Sequence, residues 1–273
     1  MQDLTITLIQ ANLHWEQAEA NREKFGQLIA QSRNAADVII LPEMFTTGFS
    51  MNTLQAEEAE ANNLRWMQEQ AAQTQAVVTG SIMTRMNEHV YNRLFWVRPD
   101  GTYDTYDKRH LFRMAGEHEH YAAGQNRLIT EWKGWKICPL ICYDLRFPVW
   151  SRNRSLNCSN DASAYDLLLY VANWPERRSF AWKSLLVARA IENQVYVVGV
   201  NRVGTDGNDV KYAGDSVALD PHGKQLTAIE AYQESVTTVT LSANELEQYR
   251  EQFPVGKDAD DLQLCLDPSG VIS

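Results

Sequence analysis

The sequence predicts an α/β chain. Three observations carry this: a strand–helix–strand opening, a second half in which buried apolar runs again alternate with a helix, and the lack of any linker rich in Pro, Gly or Ser. One domain over residues 1–273 is expected, with the last stretch (about 253–273), which has no clear period, docked on the domain or on a partner.

The elements follow in order. LTITLI (4–9) reads as a strand, and Trp15, Ala18, Phe25, Leu28 and Ile29 recur at helical spacing over 15–32. Val38 to Leu41 is a short apolar run that ends at Pro42. The Ala-, Glu- and Gln-rich stretch 55–75 predicts a helix, and AVVTGSIM (76–83) a strand. VYNRLFWV and TYDTYDK predict a hairpin around Pro99, Asp100 and Gly101. Residues 109–130 have little periodicity and read as an irregular loop. GWKICPLICYDL (134–145) is mostly a strand ending near Cys142. The pattern then repeats: strand 166–173, helix 178–194, strand 195–201. Two more strands suit 214–220 and 234–241, joined in part by the turn Pro221–Gly223. Ser242 and Glu245 have capping-box spacing for a short helix over 243–252.

Composition narrows the function. With 273 residues, 44% hydrophobic and 10% aromatic, the chain can bury a large core, which excludes a disordered or fibrous protein. The net charge is −10 and no basic stripe is present, so a nucleic-acid partner is not expected. MQDLTITLIQANLHW has no basic segment followed by an apolar one, and no apolar run is long enough to span a membrane, so a cytoplasmic protein is expected. Cys138, Cys142, Cys158 and Cys265 form no C-x-x-C pair, and the histidines lack metal-site spacing, so no metal is expected.

Three residues at predicted strand ends carry chemistry. Glu43 follows VIILP, at the mouth of an α/β core, where partial burial suits a carboxylate to general-base work; alternatively it is a solvated loop charge. Lys108 follows the second arm of the hairpin and could hold a positive charge near a developing oxyanion, or be a solvated charge beside Arg109. Cys142 is delivered by an apolar run to a turn beginning at Tyr143, where backbone N–H groups lower a thiol's pKa and serve as oxyanion donors. A buried structural cysteine is the other reading, and Cys138 fits it better. Together the three supply a base, an electrophilic stabiliser and a nucleophile.

LPEMFTTGFSM (41–51), YDKRHLF (106–112) and LICYDLRFP (140–148) resemble, in order, the three signatures of the nitrilase superfamily of carbon–nitrogen hydrolases. The resemblance implies a Glu–Lys–Cys triad on Glu43, Lys108 and Cys142, a four-layer α-β-β-α sandwich and a homodimer. It also implies a second glutamate in the loop after the lysine: Glu117, in E-x-x-x-Y-x-x-G with Tyr121 and Gly124, or its competitor Glu119. MFTTGFSM, RHLFRMAGEHEHYAAG and CYDLRFPVWSRN further resemble the bacterial omega-amidase branch, which implies a 2-oxo acid amide as substrate and no cofactor.

Such a substrate carries a carboxylate. Arg146 is the candidate clamp, or else the ion-pair partner of Asp144. Tyr143 offers a backbone N–H, and Phe45 and Trp174 are either pocket wall or plain core. The net charge of −10 opposes an anionic substrate unless the mouth is locally positive, which keeps a neutral amide in play. The remaining alternatives are a nitrile or N-carbamoyl hydrolase, a silent binder of a small acid or protein, and a thiol redox protein.

Overall fold

The computed structural model describes residues 1–32, 36–154 and 163–260, with the side chains of 57–60 excepted. Cys158 and Cys265 lie outside the described residues, as does 261–273 of the expected docked tail. The first half runs β1 (Leu4–Gln10), α1 (Ala18–Gln31), β2 (Val38–Ile40), α2 (Ala56–Thr74), β3 (Val77–Met86), β4 (His89–Val97), β5 (Tyr103–Asp107) and a one-turn α3 (Glu117–His120). The second half runs β6 (Thr130–Trp132), β7 (Trp135–Ile141), β8 (Leu167–Ala172), α4 (Ser179–Asn193), β9 (Tyr196–Asn201), β10 (Val203–Thr205), β11 (Lys211–Ala213), β12 (Val217–Leu219), β13 (Ser235–Leu241) and α5 (Ala243–Gln252).

Two sheets stack face to face, in orders β13-β1-β2-β3-β4-β5 and β12-β9-β8-β7-β6. Residue parity explains the layers. Leu4, Ile6, Leu8, Val38, Ile40 and Val77 face the second sheet, in one core with Ile137, Leu167, Leu169 and Val198. Their neighbours Ile9, Ile39 and Val78 point the other way, onto Phe25 and Ile29 of α1 and Met67 and Ala71 of α2. Trp182, Leu186 and Ala190 of α4 cover the far side of the second sheet. The result is the expected α-β-β-α sandwich.

Several boundaries differ from expectation. Helix α1 starts at Ala18 and leaves Trp15 outside it. β6, β10 and β11 have three residues each, too few to show a period of two. β12 and β13 are not consecutive partners: β12 pairs with β9 and β13 with β1, so the chain crosses between sheets after the Pro221–Gly223 turn. At α5, Ser242 Oγ accepts from the Glu245 N–H at 3.3 Å. The return arm of the box is replaced by Tyr196, whose hydroxyl oxygen accepts from the Ser242 N–H at 3.2 Å. Phe253 and Ala259 of the tail accept hydrogen bonds from Gln194 and Arg154.

The strand directions place the site. β1, β2 and β3 are parallel, and two antiparallel steps bring β5 back to the direction of β3. β7, β8 and β9 are parallel in the other sheet. Glu43, Lys108, Cys142 and Asn173 each follow the carboxyl end of such a strand, where α/β folds hold ligands.

Candidate active site

Glu43, Lys108 and Glu117, separated by up to 74 positions (117 − 43), form one buried cluster. Lys108 Nζ donates to Glu43 Oε1 at 2.9 Å and to both Glu117 oxygens at 3.0 Å, and no side chain of the three has solvent contact. Glu43 has further donors: Asn92 Nδ2 at 2.8 Å on Oε1 and the Asn173 N–H at 2.7 Å on Oε2. Asn173 Nδ2 also donates to the Glu43 carbonyl at 2.6 Å, which fixes the backbone next to Met44, a non-glycine at φ 45°. Phe49 stacks its ring 4.9 Å from Lys108 Nζ.

The loop after Lys108 is built to deliver Glu117. The Phe112 N–H donates to Glu117 Oε2 at 2.5 Å. Tyr121 anchors the far end, its hydroxyl donating to the Ser50 carbonyl at 2.6 Å. Gly124 closes it, and its N–H donates to the Lys108 carbonyl at 2.9 Å. A Cβ on Gly124 would lie 2.1 Å from the Asp107 carbonyl oxygen, so this approach requires glycine. Glu119 is excluded from the cluster: its side chain is 68% exposed.

Cys142 stands at the end of β7, opens a 3-10 turn over Cys142–Arg146, and takes a left-handed φ of 43°. Asp144 holds this turn. It accepts from the Ile141 N–H at 3.0 Å, the Tyr106 hydroxyl at 2.7 Å and the His110 N–H at 3.0 Å, and its Oδ1 lies 2.8 Å from His110 Nδ1. The lysine-bearing loop and the cysteine-bearing turn are thus tied through one buried carboxylate. The other cysteine, Cys138, is fully buried on β7 within the core, and burial pushes its thiol up to about 12.

Charge and burial set the protonation states. Burial pushes the Cys142 thiol well above its ordinary value; Glu43 adds to the rise and Lys108 opposes it. Burial alone would lower the Lys108 pKa, but the charges of Glu117 and Glu43 outweigh it and hold the ammonium above its ordinary value. Glu117 is raised by burial and by Glu43, against the pull of Lys108.

A cavity of about 550 Å³ reaches this cluster only at Cys142, which is 8% exposed. Glu43, Lys108 and Glu117 sit behind the thiol rather than in the wall. Tyr143, Arg146 and Trp174 do line the cavity, together with Asn173, Phe112 and Arg178. Phe45 does not. It is fully buried on the outer face of the first sheet, in ring contact with Phe25 and Trp66, so its expected place in the pocket wall is corrected to core. The alternative ion pair between Arg146 and Asp144 is absent; Arg146 instead lies 5.1 Å over the Trp174 ring.

Sequence reasoning missed Asn92, Phe112, Asn173 and Arg178. Asn173 alone had a readable signal, since it follows the buried strand DLLLYVA as Glu43 follows VIIL. Among the described residues, no group of three His, Cys, Asp or Glu side chains could hold a metal ion. No described helix is long and apolar enough to cross a membrane.

Residues 5–251 match the carbon–nitrogen hydrolase family. The chain is 48% identical to omega-amidase YafV of Escherichia coli strain K12, over 97% of this chain and 100% of that one. It is 34% identical to the 2-oxoglutaramate amidase of Bacillus subtilis strain 168, over 93% of this chain and 96% of that one. A crystal structure from Xanthomonas campestris, of a CN-hydrolase superfamily protein with an arsenic adduct in its active site, superposes with a TM-score of 0.93 at 47% identity, covering 97% of this chain and 100% of that one. On these grounds the chain belongs to the carbon–nitrogen hydrolase family.

Proposed function

We propose that the protein is an omega-amidase that hydrolyses the terminal amide of 2-oxo dicarboxylic acid monoamides to the 2-oxo acid and ammonia. One observation carries the chemistry: an ammonium sealed between two carboxylates, one of which also acts on a thiol at the floor of a cavity. The likeness to an omega-amidase and a 2-oxoglutaramate amidase supports the substrate class.

In this reading Cys142 rests as a neutral thiol, because its environment disfavours the charge. Glu43 takes its proton as the sulfur attacks the amide carbon. Lys108 and the Tyr143 N–H, unused at the start of its turn, stabilise the tetrahedral oxyanion. Glu43 then passes the proton to the leaving nitrogen, and ammonia departs from a thioester. Water activated by Glu43 hydrolyses that thioester and restores the thiol. Glu117 acts as a positioning residue that holds Lys108. The chain works as a cytoplasmic homodimer of one domain per subunit, a part of the proposal that rests on the family resemblance.

The objection from the net charge of −10 weakens at the mouth. Arg146, Arg177 and Arg178 line the cavity against Glu16 and Asp206. Glu16 is engaged by Ser50 and Asn52, and Asp206 by Tyr212, Asn208 and Val210. The test is ammonia release from 2-oxoglutaramate beside an aliphatic nitrile and an N-carbamoyl amine. The keto-acid amide is expected to be the best of the three; finding it the poorest removes the omega-amidase reading.

A further inference from the structure

Among the described residues, Arg178 is a cation without an anion. It precedes α4, and its main chain is pinned by two bonds: the Arg178 N–H donates to the Pro175 carbonyl at 2.9 Å, and Trp174 Nε1 donates to the Arg178 carbonyl at 2.9 Å. Its guanidinium lies 5.3 Å over the Phe112 ring, and Nη2 rests on Met114 Sδ at 2.7 Å, a weak acceptor. Nη1 is buried and has no acceptor. Among the described residues, no carboxylate lies within ion-pair distance of Arg178. Its charged neighbours Arg177 and Arg146 are of its own sign, and burial and those charges lower its pKa.

A buried, unsatisfied guanidinium N–H is costly, and oriented cations in such surroundings bind carboxylates strongly. Arg178 shares the cavity with Cys142 and is held in place by the loop that delivers Glu117. We propose that Arg178 is the principal anchor of the substrate carboxylate, and that it selects ω-amides of small dicarboxylic acids over neutral amides. The inference rests on the omega-amidase reading and assigns its specificity to one residue. Arg146 is exposed and rides on Trp174, so solvent screens its charge and leaves it the lesser share.

The test compares 2-oxoglutaramate with 4-oxopentanamide, which carries a methyl group in place of the carboxylate. In Arg178→Ala the ratio of kcat/KM for the anionic over the neutral amide is expected to fall roughly 10- to 100-fold, mainly through KM. Arg178→Lys is expected to regain part of it. Arg178→Gln keeps part of the stem over Phe112, so a packing defect in the alanine variant does not decide the result. An unchanged ratio in both Arg178→Ala and Arg178→Gln, with wild type still preferring the anion, overturns the anchor and leaves the omega-amidase reading standing. A wild type that does not distinguish the two amides overturns both.

Discussion

Two cationic regions lie within one site and are built on opposite principles. Lys108 is fully buried, and two carboxylates of the same chain compensate it. Arg178 and Arg146, at the cavity, have a thioether and aromatic faces for company. Neutralising a charge internally fixes its protonation state and position, which a proton-transfer cluster needs. Leaving a charge uncompensated stores interaction for a ligand, at a cost in stability. On the proposed function, the contrast teaches that the same fold separates reaction from recognition by deciding where each cation finds its anion.

The first way to break the comparison is Cys142→Ala. If the inner cluster carries the reaction, ammonia release falls by at least about 10⁴-fold; turnover near wild type would mean that the sulfur is not the nucleophile. Next is Lys108→Met, which leaves Glu43 and Glu117 buried without their cation. A loss of about 3–5 kcal/mol in urea unfolding is expected, together with the loss of activity. The sign with pH follows from the raised Lys108 value. Its own stabilisation is complete below the unfolded pKa of about 10.4 and fades as pH rises through the folded one, so the lysine itself adds no pH dependence to wild-type stability through neutral pH.

Arg178→Gln sharpens the contrast from the other side. Removing an uncompensated cation is expected to change unfolding stability by less than about 1 kcal/mol; a loss as large as that of Lys108→Met would erase the distinction. Arg146→Ala should raise KM for the anionic amide at most about fivefold, and less at high salt, as for an exposed charge. The smallest effect concerns the resting thiol. Alkylation of Cys142 by iodoacetamide should keep climbing with pH past the ordinary thiol value of about 8.5, because burial and Glu43 hold its pKa above that. A plateau near neutral pH would indicate a resting thiolate instead.

Local order in the sequence determined much of this protein. Buried strands announce themselves as apolar runs, and the residue after a parallel strand must emerge at the sheet's carboxyl end, so Glu43 and Cys142 were legible as members of the candidate site. Lys108 was legible through the hairpin that carries it. The spacing of Glu117, Tyr121 and Gly124 was readable as a motif, but the choice of Glu117 over Glu119 was not. Only the fold shows which one is buried against Lys108 and which faces solvent.

Other outcomes depended on tertiary structure alone. Phe45 lies two residues past Glu43, yet it faces α1 and α2, because the turn after β2 sends the two side chains to opposite sides of the first sheet. β12 and β13 belong to different sheets, a matter of long-range pairing that no local pattern encodes. Arg178 reads as one of two adjacent arginines ahead of a helix. Its character appears only when the loop over 112–114 folds across it and every described carboxylate goes elsewhere. A residue's chemistry is local and written in its side chain; whether its charge is matched depends on neighbours far along the chain, and these are set by packing.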